Sequence, residues 1–440
     1  MNDFWEALLR VLTLADYNTR VVILGTSALG TACGVIGSFM LLRKRSLMAD
    51  SVSHATLPGI CLAFIVMVHF GGSGKWLPGL LLGGLISGLI GMGLVLLLRS
   101  YTRVKEDAAL GIVLSCFFGL GVALLGLIQK MSRGSAAGLE SFIYGKTASM
   151  LSSDAMLIGA VAAVCLLVCG TLFKEFTLLC FDQDYATSQG FPAALLDVTL
   201  MSLVVLTTVI GLQAVGLILV IALLIIPPAA ARFWTHNLRN LTLISAAVGA
   251  FGSAFGAAVS AVVPRLPAGA IIVVAYSSLF LLSMFFGKTN GIFIRLLRQR
   301  RLNNKVGSQN LLRALHEIVE RSGKEQVTFD DLMAARSWST AYLRRLIQRE
   351  LRLGRLRTDD ESYSLTTGGH EEAQKIVRNH RLWELYLINY ADIAPSHVDR
   401  DADRVEHILN EQVVGELESL LATEYPASNC PRCPHSQVAS

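Results

Sequence analysis

Asp50 and His54 stand four residues apart in the run Asp50-Ser51-Val52-Ser53-His54-Ala55-Thr56-Leu57-Pro58-Gly59, where a polar loop gives way to an apolar stretch. On a helix that spacing puts both side chains on one face. A carboxylate oxygen beside an imidazole nitrogen suits a divalent first-row metal ion, and ionisable groups at membrane depth are costly enough to mark function. The same spacing suits a plain interfacial helix start, with Asp50 accepting from free helix N–H groups and His54 facing lipid headgroups.

Two further constellations lie near the C-terminus. His380-Arg381-Leu382-Trp383-Glu384 places His380 and Glu384 at i and i+4, and Asp403-Arg404-Val405-Glu406-His407 places Asp403, Glu406 and His407 at i, i+3 and i+4. Each set presents its oxygen and nitrogen atoms from one helical face. Two such faces packed together supply an oxygen-rich octahedral site of the kind Mn²⁺ or Fe²⁺ accepts; the alternative is a pair of surface charge clusters. Upstream, helical patterns over Asn310 to Arg321, Thr328 to Arg336 and Ser339 to Leu353 are followed by Gly354 to Thr366, which reads as a hairpin. The tight turn Ser337-Trp338 between the second and third makes a helix-turn-helix, and the hairpin its wing. Arg344, Arg345 and Arg349 on the third helix suit phosphate and groove contacts. Protein docking and a merely solvated basic face remain open.

The elements that must position these residues are of two kinds. Of the 440 residues, 53% are hydrophobic and 16% charged, too apolar for an ordinary soluble protein. Apolar runs of bilayer length predict about nine spans: Val21 to Leu42, Ala55 to Phe70, Trp76 to Leu98, Ala108 to Ile128, Ala155 to Phe173, Leu196 to Leu212, Ala214 to Trp234, Leu241 to Val263 and Ala268 to Phe286. A broken or re-entrant helix fits near Gln213, where two spans are separated by almost nothing, and Gly252 to Gly256 predicts close helix packing. Basic residues gather in alternate loops (Arg43-Lys44-Arg45; Arg99, Arg103 and Lys105; Arg232 and Arg239), which places the N-terminus outside and the C-terminal part in the cytoplasm. Phe4 to Leu14 reads as an amphipathic interfacial stretch. The expected division is a transmembrane domain over 1–287, a basic linker over 288–307, a winged helix over 308–370, a helical metal-binding and dimerisation domain over 371–425 and a disordered tail over 426–440.

Six cysteines in or beside apolar runs read as small soft hydrophobes, and Cys430 with Cys433 lacks the second pair of a four-ligand zinc site. No GxxxxGK[ST] phosphate cradle occurs; Gly71-Gly72-Ser73-Gly74-Lys75 lacks the leading glycine and the hydroxyl. Energy for any pumping must therefore come from another subunit.

The run from Leu42 to Gly59 resembles the signature of the manganese, zinc and iron ABC-transporter permeases, as do Val215 to Val220, Ile226 to Ala231 and Phe142 to Gly145. The resemblance covers residues 15 to 287. It implies that Asp50 and His54 lie on the metal path, and that the loop Glu175 to Pro192, with Glu175, Asp182, Ala186 and Gly190, docks on an ATPase subunit. It further implies a second permease subunit, homodimeric or heterodimeric, and an extracytoplasmic metal-binding protein, all at the cytoplasmic membrane. Residues 308 to 421, including Leu365 to Gly369 and Ala373 to Arg378, resemble the diphtheria-toxin-repressor and manganese-repressor family. That likeness implies His380, Glu384, Asp403, Glu406 and His407 as ligands of Mn²⁺ or Fe²⁺, with Zn²⁺ as a further candidate, and operator DNA as a partner. Asp399 and Asn310 depart from the expected ancillary histidine and first-helix ligand. The expected fold is mainly α: a polytopic transmembrane helical permease followed by a cytosolic winged helix and a helical dimerisation domain. The chain is expected to be no enzyme. The competing class is an ATP-independent secondary metal carrier or channel whose C-terminal domain is a local metal-sensing gate.

Overall fold

The computed structural model describes residues 13, 15–72, 76–130, 147–263, 266–359, 361–390 and 415–416. The chain divides into two compact units, Met1–Arg295 and Leu296–Ser440.

In the first unit the described helices are α1 (Tyr17–Leu42), α2 (Met48–His69), α3 (Leu77–Tyr101), α4 (Glu106–Lys130), α5 (Ser152–Thr171), α6 (Phe173–Phe181), α7 (Gln183–Ser188), α8 (Ala193–Val215), α9 (Leu217–Ala231), α10 (Leu238–Val262) and α11 (Ala268–Phe286). Eight of them, all except α6, α7 and α9, are long and apolar enough to cross a membrane. Their outward faces are themselves apolar: Leu82, Ile86 and Leu89 of α3 and Phe118 of α4 are exposed, as lipid-facing side chains are.

Helix α2 starts at Met48, seven residues before the apolar run from which its span was predicted. Hydropathy missed that turn because it is built from small polar residues whose hydroxyls are satisfied internally. Ser53 donates to the Ala49 carbonyl at 2.7 Å, Thr56 to Ser53 at 2.7 Å and Ser51 to Leu110 of α4 at 3.2 Å, so their burial carries no unpaired donor.

The break anticipated near Gln213 falls at Gly216, whose φ of +85° is a conformation only glycine enters cheaply. Its N–H closes on the Leu212 carbonyl and its carbonyl receives the Val220 N–H, so one residue ends α8 and starts α9. At 15 residues, α9 is about 22 Å long at 1.5 Å per residue, shorter than the hydrocarbon core of a bilayer. It survives because it is surrounded by protein, with Val220, Leu223 and Leu224 almost fully covered.

Helix α1 lies at the centre of the core, burying Leu29, Cys33, Ile36 and Phe39. Its closest neighbour is α10, and small residues set the distance. A Cβ at Gly30 would lie 2.3 Å from the Gly249 carbonyl oxygen, and one at Gly249 would lie 2.1 Å from that of Gly30. Ser245 donates to the Gly34 carbonyl at 2.7 Å, and the buried Tyr276 hydroxyl of α11 donates to the Gly249 carbonyl at 2.5 Å. Gly252 and Gly256 accept Tyr276 and Ile272 in the same way, as the glycine spacing predicted. Gly37 of α1 rests against the Leu224 carbonyl, which Pro228 four residues on leaves without its helical donor.

The second unit continues α12 (Ile292–Ser322), followed by β1 (Val327–Thr328), α13 (Phe329–Ala335), α14 (Thr340–Arg352), β2 (Leu356–Asp359), β3 (Ser362–Leu365) and α15 (Thr367–Tyr390). The basic stretch expected as a linker is helical from Ile292 onward; between Ile292 and Val306 it holds neither proline nor glycine and is rich in Arg and Leu, which favour helix. The strands form an antiparallel sheet of order β1-β3-β2, with Val327 opposite Tyr363 and Leu356 opposite Leu365. Leu311, Leu315, Leu332, Leu343, Ile347 and Leu356 form its core. Thr328 and Asp331 cap α13 reciprocally, and those hydrogen bonds from Thr328 hold the Asp331 carboxyl below its ordinary range. The arrangement is a winged helix, with α13 and α14 as helix-turn-helix and β2–β3 as wing.

Candidate functional site

Asp50 lies in the first turn of α2, where Leu47 is the N-cap and no side chain caps the helix. The carboxylate instead turns to His54: Oδ1 is 3.4 Å from Nε2. The His54 ring stands edge-on to Phe118 of α4 with centroids 4.8 Å apart, and its Nδ1 is buried with no hydrogen-bond partner among the described residues. Pro58 then removes the N–H that would close on the His54 carbonyl. Gly59 and Gly83 clamp α2 on α3, each occupying space where the other admits no Cβ, and Ser87 donates to the Ala55 carbonyl at 2.6 Å. A carboxylate, an imidazole with one nitrogen unclaimed and a carbonyl released by proline thus stand within one turn of a rigidly packed helix. Such a set can pass a divalent cation between hard oxygen and borderline nitrogen ligands.

The segment Glu175 to Pro192 folds as two short helices, α6 and α7. Asp182 caps α7, its Oδ1 accepting from the Tyr185 N–H at 2.8 Å. Gly190, at φ +83°, ends it in a motif that joins the Gly190 N–H to Thr187 and the Phe191 N–H to Ala186. Ala186 is fully buried while Asp182, Gln183, Asp184 and Tyr185 are exposed, so the piece is anchored by one small side chain and offers a polar outer face. Glu175 is half-buried, its Oε2 covered and unpartnered among the described residues.

A charge network that sequence reasoning missed ties this segment to the bundle. Arg43 donates to the Leu179 carbonyl at 2.9 Å, to Gln183 Oε1 at 3.2 Å and to Asp197 of α8 at 3.1 Å. Arg45, 2% exposed, pairs with the same Asp197 oxygen at 2.6 Å and with Glu106 of α4, which also meets Arg99 at 3.4 Å. In the sequence Arg43 and Arg45 stand as loop charges within the Leu42 to Gly59 run, with nothing near them to mark a partner. The available signal was Asp197, an ionisable group just inside an apolar span.

In the second unit, Arg344 and Arg345 are exposed on α14. Arg344 lies over the Phe329 ring at 5.8 Å. Arg349 is committed elsewhere, donating to the Asn304 carbonyl of α12 at 2.7 Å. His380 and Glu384 sit on α15, both 2% exposed, with Nε2 of His380 3.1 Å from Oε1 of Glu384. The other ring nitrogen, Nδ1, is 2.9 Å from the guanidinium of Arg313 on α12. As arranged, these residues do not form a cation site: a fixed positive charge faces the imidazole, and no group of three or more His, Cys, Asp or Glu placed to hold a metal occurs among the described residues. Arg381 beside them donates to Glu320, which holds the Glu320 carboxyl below its ordinary range. Burial lowers the titration of His316, whose ring is 5.7 Å from that of His370. Asp403, Glu406 and His407 lie outside the described residues, as do Asp399, Phe142 to Gly145, Cys430 and Cys433, and most of Phe4 to Leu14.

Eight membrane-length helices around a glycine-packed core, one of them carrying the Asp50–His54 pair, together with a short capped segment, define a multi-pass membrane permease. Residues 15–287 match the model of the ABC 3 transport family, and residues 366–438 match the iron dependent repressor, metal binding and dimerisation domain. The manganese transport system membrane protein MntC of Bacillus subtilis (strain 168) is 37% identical over 391 residues, 89% of this chain and 88% of that protein. Since the first unit ends at Arg295, that likeness extends into the second. The zinc transport system membrane protein TroC of Treponema pallidum (strain Nichols) is 41% identical over 298 residues, 68% of this chain and 98% of that protein. Among solved structures, PsaBC from Streptococcus pneumoniae in complex with Fab is similar with a TM-score of 0.56 and 28% identity, covering 68% of this chain and 99% of that chain. The chain belongs to the ABC 3 transport family.

Proposed function

We propose that this permease subunit belongs to an ATP-driven importer of a divalent metal ion, Mn²⁺ foremost and Fe²⁺ or Zn²⁺ as alternatives, with Asp50 and His54 on the metal path. The observation that carries this reading is the 3.4 Å approach of Asp50 to His54 on α2, with Nδ1 of His54 buried and unclaimed among the described residues. Manganese and zinc transport by the relatives supports the choice of cargo. A separate ATPase, docking at the Glu175 to Pro192 segment through Glu175, Asp182, Ala186 and Gly190, supplies the energy. A second permease subunit completes the pathway, and an extracytoplasmic metal-binding protein delivers the ion. In this reading the chain catalyses no reaction, and residues 1–287 form the membrane domain with the C-terminal unit in the cytoplasm.

Docking is tested by co-purification with the partner ATPase. Gly190→Val forces a branched side chain into positive φ, at a cost of about 1–2 kcal/mol, and Asp182→Ala removes the α7 cap at about 1 kcal/mol. The pair of changes is expected to reduce recovery of the ATPase severalfold while permease yield is kept. Full recovery of the ATPase together with unchanged uptake removes these residues from the docking surface, whereas uptake with no ATPase recovered even from the wild-type protein favours the ATP-independent carrier.

The second unit is read as a metal-responsive, DNA-binding regulator, with 308–370 as winged helix and 371–425 as the metal-binding and dimerisation helices. Exposed Arg344 and Arg345 on α14, beside the β2–β3 wing, support DNA contact. The full-length protein in detergent is expected to retard DNA from its own upstream region. Arg344→Ala with Arg345→Ala should weaken this and flatten the salt dependence by about two phosphate contacts. No retardation at low salt sinks the DNA-binding role and leaves the local gate. Arg349→Ala tests a different contact, because that side chain is held by the Asn304 carbonyl.

A further inference from the structure

His380 has two ring nitrogens, and the structure assigns a contact to each. A guanidinium carries donors only, so Nδ1, 2.9 Å from Arg313 Nη1, accepts there. The ring proton then sits on Nε2 and is donated to Glu384 at 3.1 Å. This is how a carboxylate orients a metal-binding imidazole: the proton is fixed on one nitrogen and the lone pair of the other is aimed at the ion. Here the aimed lone pair meets an arginine. Glu384 thereby takes the orienting position through Oε1, and of the two His380 ring nitrogens only Nδ1 has a lone pair to offer an ion.

Arg313 is held in place. The residue is 4% exposed, and its Nε donates to Glu317, one turn along α12, at 2.7 Å. A cation at hydrogen-bond distance from the Nδ1 lone pair blocks a second cation twice over. It occupies the coordination direction, and its charge repels a divalent ion at close range where little water screens it. An exit also exists: Arg313, Glu317, Arg321, Arg336 and Trp338 line a groove beside α12. A guanidinium swung into that groove keeps Glu317 within reach on its own helix.

We infer that the Arg313 guanidinium stands in the coordination position at His380 Nδ1 as a tethered competitor, so that arginine and a divalent ion occupy this position alternately. This rests on the reading of His380 as a ligand. It predicts a regulatory threshold: the unit takes up an ion only at concentrations sufficient to displace a cation it carries itself.

The test uses the full-length protein in detergent, with Asp50→Ala and His54→Ala present throughout to silence the membrane path, and follows Mn²⁺ binding by equilibrium dialysis. Arg313→Met keeps the apolar stem and removes the charge. It is expected to raise His380-dependent affinity by about tenfold or more, the scale on which changes around a metal ligand act. Arg313→Lys, which keeps a charge, should gain much less. Should the methionine variant not fold, Arg313→Gln retains a side-chain donor without the charge and carries the same expectation. Equal affinity in the wild-type, Met and Gln proteins, with binding still lost on His380→Ala, overturns the competitor while leaving the ligand reading intact. Absence of His380-dependent binding in every variant overturns both.

Discussion

Vesicles carrying Asp50→Asn together with His54→Ala, assembled with the partner ATPase, are expected to take up Mn²⁺ about 100-fold more slowly than wild type, the upper range for changes at a metal site. The reasoning is local to one turn of α2. Asparagine keeps the size of Asp50 and removes its charge, and alanine removes the His54 ring nitrogen that the described residues leave unclaimed. Both replacements preserve helix, and neither residue makes a structural hydrogen bond to another element among the described contacts, so permease yield and thermal stability should be unchanged. Radioactive Mn²⁺ uptake, normalised to protein recovered, separates the alternatives. Uptake above half of wild type removes the pair from the metal path and points to a larger or chelated cargo.

The second large effect concerns stability. Asp197→Leu removes the one carboxylate oxygen shared by Arg43 and Arg45. Arg45 is among the largest fully buried side chains, and a buried charge stripped of one partner costs about 3–5 kcal/mol. Glu106 remains beside Arg45, which puts the expectation at the lower end of that range. Thermal unfolding in detergent should fall by on the order of 10 °C, with aggregation during extraction. Adding Arg45→Met removes the charge left behind and should restore part of the loss; a double variant no better than Asp197→Leu alone would mean that the pair is not the source of the instability. Arg43 also holds α6 and α7 through Leu179 and Gln183, so whichever variant survives extraction should also couple poorly to the ATPase.

Much of the membrane unit was legible because bilayer thickness writes itself into sequence as length and hydropathy. The eight long helices follow the predicted spans, and the break near Gln213 was visible as two apolar runs with nothing between them. The start of α2 was not visible, since Ser51, Ser53 and Thr56 look like loop until the carbonyls that accept their hydroxyls are known. The approach of Asp50 to His54 is legible because their spacing is short-range, whereas the Arg45–Asp197 contact joins residues 152 positions apart. The same limit applied in the second unit. The winged helix could be read from its turn and wing, and His380 with Glu384 from i, i+4 spacing, but Arg313, 67 positions away, carried no mark in the chain. The helix within the basic stretch was not read from the sequence because charge drew attention to solvent, although arginine and leucine in series favour helix equally well.

The Arg43-Lys44-Arg45 loop has a consequence for how the protein is made. Positive loop charge fixes orientation by staying on the cytoplasmic side as helices enter the bilayer. In the finished bundle only Lys44 of the three remains exposed, while Arg43 and Arg45 are drawn inward onto Asp197, which the ribosome delivers much later. The two arginines can therefore steer insertion only before α8 has emerged. Any orienting pull of these two charges therefore belongs to the nascent chain during synthesis, before they are withdrawn onto Asp197.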